Sequence, residues 1–130
     1  MQAPGKGELL PSSRPSTYDD LRMLVENQVP EGLRIDYKLQ VPRETKDREE
    51  FAKDVAAFAN RSGGFLVYGV REENRLPVEL VGDAMLLQDF DRIVNSLDQV
   101  LSANVEPRIV GTNYDRVEHP ESQAGMVPTG

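Results

Sequence analysis

Cysteine is absent from the 130-residue chain. That excludes a disulfide framework and every thiolate metal site, and it suits a reducing compartment. Histidine occurs once, at position 119. A lone imidazole in a tail-like stretch makes a poor general base, because acid–base catalysis needs fixed geometry. No apolar run approaches the roughly 20 residues of a membrane-spanning helix, and no apolar leader opens the sequence. The expectation is a cytoplasmic protein with no membrane partner. Positive charge is also scarce: 15 Lys and Arg face 22 Asp and Glu, for a formal charge of −7. The mean field of such a molecule repels a polyanion, so any phosphate-binding surface has to be a local arrangement of cations.

What is present reads as one domain between two poorer ends. Residues 1–16 hold Pro4, Gly5, Gly7, Pro11 and Pro15 without periodicity, and are expected to be a flexible arm. Residues 17–110 carry the patterned part. Residues 111–130 are rich in Asp, Glu, Pro and Gly, and are expected to be a flexible tail or the truncated end of the domain.

Within the patterned part, Thr17 to about Asn27 predicts a short helix. Thr17 can cap it, Asp19 and Asp20 suit its positive end, and Pro30 stops it. In Leu33-Arg34-Ile35-Asp36-Tyr37-Lys38-Leu39-Gln40-Val41 apolar and polar residues alternate, the period of a half-buried strand. Residues 47–60 predict a helix with Asp47 and Glu50 in a capping arrangement, and Phe51, Val55, Phe58 and Ala59 on one face. Ser62-Gly63-Gly64 ends it.

The apolar run Phe65 to Val70 predicts one central strand. A charged turn over 71–77 then leads to a hairpin strand from Val78 to Val81. A second long helix follows from about Ala84 to Ala103, with Leu86, Phe90, Ile93, Val94, Leu97, Val100 and Leu101 as its stripe. Glu106 to Val110 reads as a loop entering one more strand. The expected fold class is α/β in the broad α+β sense: a mixed β-sheet with two principal helices packed on it and a short N-terminal helix.

Three segments, in this order, resemble the Schlafen-type AlbA-like DNA-binding domain, also described as a divergent ATPase-related family of bacterial transcriptional regulators. They are Glu31-Gly32-Leu33-Arg34-Ile35-Asp36-Tyr37-Lys38, Ala56-Ala57-Phe58-Ala59-Asn60-Arg61-Ser62-Gly63-Gly64, and Phe65-Leu66-Val67-Tyr68-Gly69-Val70 with the acids after it. The likeness covers roughly residues 18–110. Asp36 stands where the family usually has Glu, and Arg71 where an acid often comes first. The aromatic-rich Tyr-x-Arg-x-Gly continuation of the family has no counterpart here.

The resemblance implies a nucleic-acid-binding module with DNA or RNA as partner, for which Arg34, Lys38, Asn60, Arg61 and Arg71 are the contact candidates. Together with Lys53 and Arg75, the cations among them would form a basic stripe if strand, helix end and turn converge. Its alternative implication is a metal-dependent ribonuclease. There Glu31, Asp36 and Glu72 or Glu73 would hold Mg²⁺ or Mn²⁺, hard cations that suit carboxylate oxygens and can activate water. The binding reading needs no cofactor.

The same residues also have plainer uses. Asp36 can pair with Arg34 or Lys38, and Asn60 to Gly64 can simply end a helix. A degenerate structural module, including a homodimer built on a leftover apolar face, is a third expectation. The Gly-x-x-x-x-Gly-Lys-[Ser/Thr] pattern is missing, so nothing in the chain supports a nucleoside-triphosphate loop.

Overall fold

The computed structural model describes residues 15–61, 63–104, 112–118 and 124–129. Most of the expected N-terminal arm, the loop from Glu106 to Val110, Ser62 and His119 lie outside the described residues. Pro15, counted with that arm in the sequence reading, is buried.

Helix α1 spans Tyr18–Glu26. It starts where Thr17 and Asp20 satisfy each other: the Thr17 Oγ1 accepts from the Asp20 N–H at 3.1 Å, and the Asp20 carboxylate accepts from the Thr17 N–H at 3.1 Å. Strand β1 is Ile35–Lys38, α2 is Thr45–Ala59, β2 is Phe65–Tyr68, β3 is Val70–Glu73 and β4 is Leu76–Leu80. Helix α3 is Ala84–Asn104, bent at Asp89, and β5 (Asn113–Glu118) and β6 (Ala124–Thr129) complete the chain. No helix among the described residues is long and apolar enough to cross a membrane.

A four-stranded sheet runs β1-β2-β6-β5, with β1 and β2 parallel and the other pairs antiparallel. Side-chain alternation divides its residues between two cores. Leu66 and Tyr68 meet Phe51, Val55 and Phe58 of α2 and Leu86, Leu97 and Leu101 of α3. Ile35, Tyr37 and Val67 meet Leu21 and Leu24 of α1, with Val70 and Val117. Each large side chain so enclosed contributes about 1.5–3 kcal/mol from burial. The mixed sheet with two principal helices and a short N-terminal one is therefore the fold.

Three expectations differ in detail. The run Phe65 to Val70 is not one strand, because Gly69 turns the chain at φ +89° and Val70 begins a separate hairpin. A Cβ at Gly69 would lie 2.9 Å from the Gly82 Cα, so only glycine fits this crossing. The charged segment is strand rather than a long turn: β3 and β4 pair through residue 73, and only Asn74 and Arg75 form the tip. Both have positive φ, as a two-residue hairpin turn of matching twist requires. The start of α2 is capped one turn earlier than the Asp47–Glu50 spacing suggests. There the Asp47 carboxylate accepts from the Glu44 N–H at 3.3 Å.

The stretch after residue 110 departs furthest from a tail. Residues 124–129 form the strand between β2 and β5, with Phe65 opposite Thr129 and Tyr68 opposite Met126. Backbone pairing with β2 and β5 holds them there, and such pairing leaves little trace in the composition of the stretch.

Candidate nucleic-acid interface

Strand β1 is an edge strand, so every second N–H along it lacks a sheet partner. Glu31 covers one of them: its Oε2 accepts from the Tyr37 N–H at 3.2 Å. The Tyr37 hydroxyl in turn donates to the Val29 carbonyl at 2.7 Å. Glu31 is also tied to the hairpin tip. Its N–H donates to the Arg75 carbonyl at 2.8 Å, and Arg75 Nη2 donates back to the Glu31 carbonyl at 3.1 Å. The Arg75 N–H is held by the Glu72 carboxylate at 3.0 Å, so a residue with an unfavourable positive φ is fixed from three directions.

Asp36 and Lys38 lie on the other face of β1, towards α2. The Lys38 Nζ stands 3.3 Å from Asp36 Oδ2 and 3.6 Å from Asp54 Oδ2. Partial burial opposes the charge on Lys38, but Asp36, Asp54 and Glu50 outweigh it and raise its pKa. Asp54 is pushed the opposite way for a carboxylate. Burial raises its pKa, Lys38 counteracts that, and Asp36 and Glu50 add to it. Two carboxylates share one ammonium.

The four acids of the nuclease expectation therefore have separate engagements. Glu31 holds the β1 edge, Asp36 pairs with Lys38, Glu72 holds the hairpin turn, and Glu73 pairs with Arg71 at 2.7 Å. Among the described residues no group of three or more His, Asp or Glu could hold a metal ion. These side chains do not fit a shared Mg²⁺ or Mn²⁺, and no chemical step is derived through one.

The cations divide similarly. Lys38 is neutralised as above, and Arg71 lies between Glu73 and Glu79, at 2.7 and 3.2 Å. Arg34, Asn60 and Arg61 are exposed. Neither Arg34 nor Arg61 forms an ion pair with a described residue.

The fold brings Arg34 and the helix end together. The Phe65 N–H donates to the Arg34 carbonyl at 2.8 Å. A Cβ on Gly64 would come within 2.9 Å of that oxygen and 2.5 Å of the Phe58 ring, so the Gly63-Gly64 turn is pressed against the start of β1. Arg34 thus sits at the N-terminal end of β1, and Asn60-Arg61 just before the N-terminal end of its parallel neighbour. Arg75 joins the same end through Glu31. Lys38 stands at the opposite end of the four-residue strand, about 13 Å away at strand rise.

Sequence reasoning missed two features. Asp83 is 2 % exposed at its side chain and organises the chain between β1 and α2. Its carboxylate accepts from Val41 N–H at 3.0 Å, Met85 N–H at 3.0 Å and Arg43 Nη2 at 2.8 Å. Nothing local distinguishes it from a solvated loop acid. The second is a cleft of about 320 Å³ between the C-terminal end of β1 and the first half of α2, lined by Lys38, Asp47, Glu50, Asp54 and Tyr68 over an apolar base. Positions 47, 50 and 54 share a helix face, a spacing visible in the sequence.

The architecture is that of a small α+β domain whose parallel strand pair carries charged side chains at both ends. A family model described as Schlafen, AlbA_2 matches residues 31–127, and the chain belongs to that family. No curated protein matches it.

Proposed function

We propose that this domain binds nucleic acid through the phosphate backbone, at the end of the sheet whose connecting segments carry Arg34, Arg61 and Arg75. Family membership agrees with nucleic-acid handling in general terms. The observation that carries the reading is the contact of the Gly63-Gly64 turn with the Arg34 carbonyl, which joins two arginines free of described carboxylate partners. In a chain of charge −7 such a pair is the local exception that phosphate binding requires. Guanidinium groups suit phosphate oxygens because their N–H donors form a planar fork. Contacts of this kind fix position without reading bases, so affinity should depend strongly on salt and weakly on sequence.

Fluorescence anisotropy with labelled duplex DNA and single-stranded RNA tests this. Binding is expected at low salt and should fall steeply as salt rises. The Arg34→Glu/Arg61→Glu variant should lose it. Absence of binding to both polymers at low salt ends the proposal. Preference for duplex DNA would support a cytoplasmic transcriptional regulator, and preference for RNA would turn the reading towards RNA handling.

A further inference from the structure

We propose that the cleft between β1 and α2 binds an organic cation, a primary ammonium or guanidinium group carried on a short apolar chain. The cleft lies at the other end of β1 from Arg34, and its occupant is opposite in charge to phosphate. The proposal is independent of nucleic-acid binding.

Three carboxylates, Asp47, Glu50 and Asp54, line the cleft with one ammonium, that of Lys38. Asp47 already serves the start of α2, accepting from the Arg43 and Glu44 N–H groups at 3.4 and 3.3 Å. Asp54 is less well satisfied. Its Oδ2 is buried and has no hydrogen-bond partner, since Lys38 at 3.6 Å is beyond direct bonding distance.

Tyr68 supplies the second observation. Only 2 % of the residue is exposed, its ring belongs to the core under α2, and it lines the cleft. Its hydroxyl makes no hydrogen bond to a described residue. The oxygen opens on the cleft, where a ligand N–H can donate to it. Burial, followed by the nearby charges of Asp54, Asp36 and others, raises the Tyr68 pKa, so the group remains a neutral hydroxyl at physiological pH.

The shape fits the same class of ligand. Val41, Pro42 and Phe51 offer apolar surface beside the acids, enough for a few methylenes. The volume is at the small end of ligand sites, right for a side chain or a polyamine segment. A phosphate is disfavoured by the three carboxylates. Polyamines and protein Arg or Lys side chains share the proposed chemistry.

The test is a ¹H–¹⁵N NMR titration of the full chain with spermidine, a capped arginine tripeptide and tetramethylammonium. Spermidine or the peptide should give saturable shifts confined to residues 38–54 and 68. The tighter of the two names the source. Tetramethylammonium has no N–H to donate and should bind more weakly than either. Tyr68→Phe keeps the ring and the core, and should weaken binding about fivefold, the share of one hydrogen bond. Asp54→Asn should weaken it further, while Arg34→Glu/Arg61→Glu leaves it intact.

The proposal is overturned if neither amine saturates, or if a dispersed, folded Tyr68→Phe spectrum shifts as the parent does.

Discussion

Arg43 and Asp83 form an ion pair at 2.8 Å that joins the loop after β1 to the start of α3. The arginine is partly exposed, but the aspartate is enclosed and also receives the Val41 and Met85 N–H groups. Replacing Asp83 by alanine strands those donors and the Arg43 charge. The expected cost is about 2–4 kcal/mol, read as a lower urea midpoint. Arg43→Ala should cost less, because solvent already screens the guanidinium.

Gly69 is expected to be the least replaceable glycine of the hinge between β2 and β3. Its φ of +89° and the Gly82 backbone 2.9 Å from a would-be Cβ combine strain with a clash that no flexible side chain can relieve. Gly69→Ala should destabilise by about 2 kcal/mol or more, measured by chemical denaturation. A cost within error of zero would show that the crossing can open.

The Lys38 cluster makes opposite demands at the two ends of the pH scale. A raised lysine pKa contributes stability that is fully present below the unfolded value of 10.5 and is lost as pH rises through the higher folded value. A raised aspartate pKa works the other way. Folded Asp54 takes up a proton before the unfolded chain does, so its contribution improves as pH falls towards 3.8. Accordingly Asp54→Asn should leave stability at pH 7 unchanged or slightly higher, whereas Lys38→Met should lower it by leaving Asp36 and Asp54 facing each other. Urea midpoints at pH 5, 7 and 10 check both.

The nucleic-acid reading predicts additive arginine effects. Arg34→Ala and Arg61→Ala should each reduce the slope of log affinity against log salt by roughly one counterion. Arg71→Ala should do little, since Glu73 and Glu79 already occupy that guanidinium. Anisotropy at three salt concentrations distinguishes them.

Much of this domain is legible in the order of its residues, because helices and strands impose periods that local sequence must obey. The Thr17 cap, the alternation from Ile35 to Lys38 and the glycine stop after Asn60 all answer to neighbours a few positions away. The candidate site is legible only in part. Arg34 and Arg61 stand out by type, yet the approach of their chain segments follows from a parallel pairing across some thirty residues. Lys38 and Arg71 look equally basic in sequence, and it is distant or cross-strand acids, Asp54 and Glu79, that help to occupy them.

Sequence alone determined the identity and approximate bounds of the three helices and of β1, β2 and β4, and the acid-rich balance that confines phosphate binding to a local patch. Tertiary structure decided that residues 124–129 insert beside β2, that Asp83 is enclosed, and which charges remain without partners. Those outcomes depend on long-range backbone pairing and on burial. Neither leaves a periodic mark on the chain.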